Sequence, residues 1–183
     1  MSRGHPGTAI SPFVGEWIPR VACELGVPAR RCRALDLAMG EGRHAWLLAS
    51  AGFDTFGVDR SVERLLTARS RGRGTECAVH QWAADLDTYP LPVHFFDVLL
   101  VSRFLLRERW TDLKQLVVPG GFVMYETFTV GQLAKGIGPA SPDHLLNPRE
   151  LPDAFADWRI LFSEEVDEPA AVARLVARKP AQP

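Results

Sequence analysis

The stretch from Arg33 to Ser61 constrains the fold most, because it has the pattern of one complete strand–helix–strand unit. Its sequence is R-A-L-D-L-A-M-G-E-G-R-H-A-W-L-L-A-S-A-G-F-D-T-F-G-V-D-R-S. An apolar run at 34–38, a glycine turn, a helical pattern at 43–51 and a second apolar run at 55–58 follow in that order. Strands that alternate with helices indicate a parallel sheet, so we predict an α/β fold.

This unit also has the residue types that bind a nucleoside. Gly40 and Gly42 allow a ligand to approach the backbone closely, and the helix after them presents free N–H groups at its N-terminus. Asp59 ends the second strand, where a carboxylate can accept hydrogen bonds from both ribose hydroxyls. We therefore predict that a nucleoside binds at this turn.

Two families place a nucleoside in this way. Gly40, Gly42 and Ala45 fit a variant of the G-x-G-x-x-A fingerprint, with Asp59 on the ribose of NAD. The run L-D-L-A-M-G-E-G-R from Leu35 instead resembles motif I of class I S-adenosylmethionine (SAM)-dependent methyltransferases. A chain of 183 residues lacks the length for the separate substrate domain of a dehydrogenase, which favours the methyltransferase. A Rossmann-type NAD-binding oxidoreductase stays an alternative.

The resemblance continues downstream. A-A-D-L-D at 83–87, F-D-V-L-L-V at 96–101 and V-V-P-G-G-F-V-M-Y-E-T-F at 117–128 are similar to the adenine contact, the fourth strand and the turn into the fifth strand of that family. The family has a Rossmann-like, mostly parallel seven-stranded sheet in the order 3-2-1-4-5-7-6, with helices on both faces. Alternating runs at 158–165 and 171–178 predict the antiparallel hairpin that ends such a sheet.

The resemblance implies SAM as cofactor and S-adenosylhomocysteine as product. Asp36 would anchor the amino group of the methionine moiety, and Asp59 the ribose. Asp85 would accept the adenine amine while the Leu86 N–H meets a ring nitrogen. Structural alternatives are turn amides on Asp36, an N-cap role for Asp59 and a solvated Asp85. No metal site is predicted, and the cofactor-binding set is Asp36, Ala38, Gly40, Gly42, Asp59, Arg60, Asp85, Leu86 and Ser102.

Ala38 departs from the family pattern, which more often has glycine there. Alanine is the least disruptive replacement for glycine, provided that the local φ is negative. A strained turn would lower the affinity for the cofactor. If binding were abolished, the chain would be a non-catalytic cofactor-binding module, a further functional alternative.

The loops after the fourth and fifth strands should line the reacting centre, because ligands of such sheets bind beyond the carboxyl ends of the parallel strands. Arg103 and His144 would gather the charge of an ionised acceptor, with Arg107 beside them unless it pairs with an acid of its own helix. Tyr125 or Glu126 would be the base for a hydroxyl or amine. Tyr125 as a core aromatic and His144 as a turn cap are the structural alternatives. The predicted catalytic set is Arg103, Tyr125, Glu126 and His144.

The acceptor is the least constrained prediction. Y-E-T-F-T-V-G-Q from Tyr125 and H-L-L-N-P-R-E-L from His144 resemble a bacterial small-molecule branch similar to tellurite and thiopurine methyltransferases, which implies a thiol or metalloid oxyanion. V-S-R-F stands at 101–104 in place of N/D-P-P-Y/F, which argues against enzymes that methylate amino groups of DNA or release factors. An RNA or protein methyltransferase stays open. We interpret the arginine-rich stretch 60–73 as a solvated helix face followed by a turn.

Composition favours a small-molecule partner. The net charge of −1 gives no overall footprint for DNA or RNA, although a local basic face keeps RNA open. Three cysteines without a C-x-x-C pair indicate neither a disulfide framework nor a zinc site, and they fit a reducing cytoplasm. No signal-peptide pattern and no apolar run of about 18 residues is present, so we expect no membrane association. We predict a flexible segment at 1–10 and one domain at 11–183, as a monomer or homodimer.

Overall fold

The computed structural model describes residues 9–181, and its seven strands form one sheet in the order β3-β2-β1-β4-β5-β7-β6. This order and the antiparallel pairing of the last two strands confirm the predicted fold. The strands are β1 (Arg33–Leu37), β2 (Asp54–Asp59), β3 (Val79–Ala83), β4 (Phe96–Ser102), β5 (Val117–Phe128), β6 (Arg159–Val166) and β7 (Val172–Arg178). The helices are α1 (Pro12–Leu25), α2 (Arg43–Ser50), α3 (Val62–Arg71), α4 (Trp110–Leu116) and α5 (Glu150–Ala154).

The chain forms two compact units, Met1–Leu86 and Asp87–Pro183. In the first, β1, β2 and β3 are parallel, with Leu37 beside Val58 and Asp59 beside Ala83. Helix α2 packs on β1 and β2, α3 packs on β2 and β3, and α1 packs on α2. Because parallel strands end at a common edge, the residues that end β1 and β2 lie side by side.

In the second unit, β4 and β5 are parallel, whereas β7 is antiparallel to both β5 and β6. Ser102 and Glu126 are partners in the β4–β5 register, so the loop after β4 begins beside the carboxyl end of β5. Helix α4 packs on β4 and β5, and α5 packs on β7. The five residues Phe96–Leu100 are all buried, as expected for a strand covered on both faces.

The sequence of α1 has helix signals at both ends. Pro12 occupies its first turn, and the chain leaves the helix at Gly26, whose φ is +74°. Its buried side chains recur at helical spacing, so the helix covers the core with one face. They are Phe13, Val14, Ile18, Val21, Ala22 and Leu25.

Two predicted elements are shorter in the structure. The residue pattern of 104–116 predicts a helix, but α4 begins at Trp110, after a 3₁₀ turn at Arg107–Arg109. The Phe104 carbonyl accepts a hydrogen bond from the Tyr125 hydroxyl at 3.0 Å instead of a helical N–H. The pattern of 76–82 predicts a third strand, but β3 begins at Val79. Of the predicted flexible segment, residues 1–8 lie outside the described residues, and the single domain stays a prediction.

Candidate cofactor site

The turn between β1 and α2 contains three residues in the left-handed region. The φ angles of Ala38, Gly40 and Gly42 are +56°, +57° and +77°. The Met39 N–H donates to the Val58 carbonyl at 2.9 Å, and the Gly42 N–H donates to the Met39 carbonyl at 3.0 Å. These bonds tie the turn to the end of β2.

The two glycines of the turn have different roles. A Cβ atom at Gly42 would lie 2.9 Å from the Met39 Cε and 3.0 Å from the Ala68 Cβ, so packing requires glycine there. A Cβ atom at Gly40 would meet nothing within 4 Å. The backbone at Gly40 therefore borders open space, into which a ligand can be brought close.

Ala38 does not meet the condition of a negative φ under which alanine replaces glycine with least strain. Its φ of +56° costs an alanine about 1–2 kcal/mol relative to right-handed geometry. The next residue explains why the turn keeps this shape, because the Met39 side chain is buried in a cluster with Ala45, Leu65 and Ala68. Burial of Met39 thus fixes the turn even without the glycine that the family pattern has at position 38.

Asp59 connects the turn to the end of β2. Its Oδ2 accepts the Gly40 N–H at 2.8 Å, and its Oδ1 accepts the Ser61 N–H at 2.9 Å. Each carboxylate oxygen has a second lone pair, so both can accept another donor. The N-cap of α3 is Ser61, whose hydroxyl accepts the Arg64 N–H. Asp59 is therefore not the N-cap and holds the turn in place instead.

Asp36 is a buried carboxyl beside this turn, with 2% of its surface exposed. Burial raises the pKa of Asp36 to about 7, since water is lost from its charged form. The Arg43 charge and the Ala45 N–H lower this pKa, while the nearby Asp59 carboxylate raises it further. A cation placed beside Asp36 would favour its ionised form.

The other predicted cofactor residues of the first unit are Arg60, Asp85 and Leu86. Arg60 follows Asp59 and is exposed, whereas Leu86 is buried and Asp85 exposed. The Ala84 N–H donates to the Asp59 carbonyl at 3.2 Å, which brings the 83–86 segment to the end of β2. The structure thus brings these residues to the same edge as Asp36, Gly40 and Gly42.

Ser102 and Arg103 lie in the second unit, where β4 ends. Ser102 is half-buried and Arg103 is exposed. The φ of Arg103 is +56°, and its guanidinium lies 5.8 Å from the centre of the Phe128 ring. The Arg103 N–H donates to the Glu126 carbonyl at 2.7 Å. A strained non-glycine residue at such a strand end is typical of functional sites.

Tyr125 and Glu126 are both used inside the protein. Tyr125 is fully buried and donates its hydroxyl proton to the Phe104 carbonyl; burial raises the pKa of Tyr125 above its usual range. Glu126 is 5% exposed, and its Oε2 accepts the Arg174 Nε–H at 2.7 Å. These contacts favour structural roles for both. Arg174 was missed because it lies 48 residues from its partner, and no local pattern indicates such a pair.

His144 is exposed in a 3₁₀ turn at Pro142–His144, where its backbone N–H donates to the Ser141 carbonyl at 3.1 Å. Arg107 holds the segment around this turn. It donates to the Glu150 carboxylate and, at 2.8 Å, to the Asp143 carbonyl. The structural alternative, in which Arg107 pairs with an acid of its own helix, is replaced by this pairing with Glu150. The contact with Glu150 raises the pKa of Arg107 and lowers that of Glu150.

No group of three or more His, Cys, Asp or Glu side chains is placed to hold a metal ion within 9–181. Over the same range, no helix combines the length and apolar character needed to cross a membrane.

The strain at Ala38 predicts a stabilising substitution. Ala38→Gly should raise the free energy of unfolding by up to about 1 kcal/mol, because relief of the left-handed strain exceeds the extra entropy of an unfolded glycine. Urea denaturation measures this change. Ala45→Gly, in the buried first turn of α2, is the control and should destabilise the protein. A loss of stability in Ala38→Gly would contradict the account.

The raised pKa of Asp36 predicts a dependence of stability on pH. Between about pH 4 and 7 the folded protein keeps the Asp36 proton that the unfolded chain releases, so the free energy of unfolding falls as pH rises. Asp36→Asn removes this contribution, and its stability relative to the wild type should increase from pH 4 to 8 by a few kcal/mol. Denaturation midpoints measured across this range test it. The control is the exposed Glu76→Gln variant, whose stability should differ from that of the wild type by the same amount at every pH. A pH-independent difference for Asp36→Asn as well would contradict the assignment.

Part of the chain is similar in sequence to a known protein family. Residues 34–121, slightly less than half of the chain, match a family model described as Methyltransferase domain. The match spans the β1–α2 turn, Asp59 and both β4 and the start of β5. A search of curated proteins finds no match.

Solved structures share the fold over nearly the whole chain. TehB from Haemophilus influenzae has a TM-score of 0.70 at 20% identity over 97% of this chain, which spans only 65% of TehB. The PH0226 protein from Pyrococcus horikoshii OT3 has a TM-score of 0.69 at 16% identity, with 97% of both chains covered. A SAM-dependent methyltransferase from Mesorhizobium loti has a TM-score of 0.68 at 20% identity, over 90% of this chain and 98% of that methyltransferase. Residues 34–121 thus resemble a methyltransferase domain, and the chain shares the fold of these solved structures.

Proposed function

We propose that the chain is a SAM-dependent methyltransferase acting on a small acceptor that is already ionised, such as a thiolate or a metalloid oxyanion. One contrast at the ends of β4 and β5 carries the proposal. The two side chains suited to take a proton, Tyr125 and Glu126, are engaged inside the protein, whereas the cation of Arg103 is exposed. An acceptor that already carries negative charge needs the cation and not the base.

The residues of the first unit fit the cofactor. SAM has an ammonium group and two ribose hydroxyls, all donors, and the buried edge offers two carboxylates, Asp36 and Asp59. Gly40 leaves open space where a Cβ atom would otherwise stand. We assign Asp36 to the ammonium group, Asp59 to the ribose and the 84–86 segment to the adenine, with Ala38 and Gly42 shaping the turn. Arg60 and Ser102 complete the proposed set.

Little acid–base chemistry is required of this chain. When bound, SAM supplies a methyl group already activated by its positively charged sulfur. The protein has to align the acceptor and exclude water, because positioning alone accounts for a large part of such a barrier. In the proposal, Arg103 and His144 bind the acceptor's negative charge. Arg107 holds the 143–145 segment through its carbonyl contacts, which keeps His144 in place.

Tyr125 and Glu126 are positioning residues in this proposal. The Tyr125 hydroxyl holds the Phe104 carbonyl, one residue beyond Arg103. The Glu126 carbonyl accepts the Arg103 N–H, and its carboxylate is fixed by Arg174, which also donates to Glu164 at 2.7 Å. The contacts of Tyr125 and Glu126 therefore hold the backbone on both sides of the Arg103 side chain and support its conformation.

The alternatives have less support. An NAD-dependent oxidoreductase would continue the sheet with another parallel strand, whereas β7 is antiparallel to β5. A non-catalytic module would follow if the turn at Ala38 prevented binding, yet the open space at Gly40 is retained. RNA and protein acceptors remain the alternatives for methyl transfer. Cys23, Cys32 and Cys77 all lie within the described residues and form no disulfide there, which fits the reducing cytoplasm that we propose as location, with a monomer or homodimer as the working form.

The ribose assignment predicts the effect of one substitution. Asp59→Asn keeps one acceptor oxygen for the backbone but loses the charge, so the affinity for S-adenosylhomocysteine should fall by about 1.5–3 kcal/mol, roughly 10- to 150-fold. Equilibrium dialysis measures it. The matched control is Asp54→Asn at the opposite end of β2, where the carboxylate pairs with Arg31. Equal affinity in Asp59→Asn and the control would refute the assignment.

The proposed activity is tested by release of S-adenosylhomocysteine from SAM with a panel of thiols, metalloid oxyanions, alcohols and amines. Turnover should occur with ionised acceptors and rise with the ionised fraction of a thiol. Arg103→Gln should lower kcat/KM for these acceptors about 10- to 100-fold through loss of a charge-assisted contact, with unchanged binding of S-adenosylhomocysteine. The exposed Arg159→Gln is the control. Turnover confined to neutral alcohols or amines would contradict the proposal.

A further inference from the structure

An unneutralised basic surface lies on α3 and on the turns at its two ends. Arg60, Arg64, Arg69 and Arg73 are all exposed there. Within the described part of the chain, none of their four guanidinium groups has an ion pair or hydrogen bond, unlike Arg71, which pairs with Glu41. The protein as a whole has a net charge of −1, so this surface is a local concentration of positive charge.

Trp46 lies between two cavities in this region. One, of about 280 Å³, is lined by Trp46 together with Arg43 and Arg71. The other, of about 550 Å³, is lined by Trp46 together with Arg69 and Arg73. The indole is held in place, since its Nε1–H donates to the Ala68 carbonyl at 3.1 Å. A fixed aromatic ring thus has arginines on both sides.

The same surface exposes apolar side chains. Val62 is 58% and Leu66 61% exposed, and the spacing of Val62, Leu66 and Arg69 places them on one face of α3. Leu66 also lines the larger cavity. An anion alone would not need this apolar area, so the surface suits a ligand that combines negative charge with flat apolar groups.

We propose that this surface, defined by α3, the 72–75 turn and Trp46, binds single-stranded RNA. Phosphates would contact the unpaired arginines, and unstacked bases would pack against Trp46 and Leu66, the combination that single-strand binding proteins use. The arginine-rich stretch is then more than the solvated helix face expected from the sequence. This proposal does not depend on methyl transfer.

Two observations favour RNA over an acidic protein or DNA. All the basic residues of the 60–73 stretch are arginines, whose planar guanidinium pairs with phosphate and stacks on bases. Ser50, Ser70 and Thr75 line the cavities and donate their hydroxyl protons to backbone carbonyls. Their oxygens keep lone pairs that can accept a hydrogen bond from a ribose 2′-hydroxyl, the group that distinguishes RNA.

Fluorescence anisotropy with the full chain tests the proposal, using a labelled unstructured RNA of about 12 nucleotides. Binding should weaken as salt increases, with a slope near −0.7 for each phosphate contact. Arg69→Gln with Arg73→Gln should weaken binding at least 10-fold and reduce the slope by about 1.4. The control removes two charges elsewhere, through Arg20→Gln with Arg159→Gln, and should bind like the wild type.

Circular dichroism of each variant confirms that it is folded, and Trp46→Phe provides a second readout. RNA should quench intrinsic fluorescence in the wild type and much less in Trp46→Phe. The proposal is overturned if RNA does not bind at low salt, or if both arginine pairs weaken binding equally. Tighter binding of the matching DNA, or of a polyglutamate peptide, would overturn it as well.

Discussion

The hydrogen bonds of Asp59 are the interaction on which the candidate site depends. Both oxygens of this buried carboxylate accept backbone N–H groups, one from Gly40 in the first turn and one from Ser61 at the start of α3. One side chain thereby fixes the ends of β1 and β2 relative to each other. Because those oxygens retain acceptor capacity, the group that builds the turn is also the group proposed to hold the ribose.

Three of the buried carboxyl groups show how the surroundings of each one determine its role. Asp59 is satisfied by backbone donors, and Glu126 is neutralised by Arg174. Asp36 is buried without an adjacent ion pair, which accounts for its raised pKa. An unneutralised carboxyl at a ligand-binding edge is suited to a cationic group. The contrast favours Asp36 as the contact for the positive end of the cofactor.

Much of the fold was predictable from local patterns. The glycine turn, the apolar strands and the alternating terminal runs each follow from short-range preferences, and the resemblance supplied the strand order. Position 38 was not predictable in conformation, since the burial of Met39 overrides the preference of alanine for negative φ. The pairing of Arg107 with Glu150 could not be predicted either, because the two residues are 43 positions apart in the sequence.

The acceptor residues show a second limit of sequence patterns. Tyr125 and Glu126 have the chemistry of a base, and only their burial and partners show that they are used structurally. Residue type therefore indicates candidate side chains at a strand end but not the contacts that each of them makes. Arg103 gained support from its left-handed φ, which no pattern in V-S-R-F indicates.

Calorimetric titration of the wild-type protein with S-adenosylhomocysteine, and in parallel with NAD, tests the central claim most directly. The account predicts binding of S-adenosylhomocysteine with a micromolar dissociation constant and no heat from NAD. Binding of NAD alone would contradict it in favour of an oxidoreductase. Binding of neither would show that the strained turn at Ala38 has abolished the cofactor site.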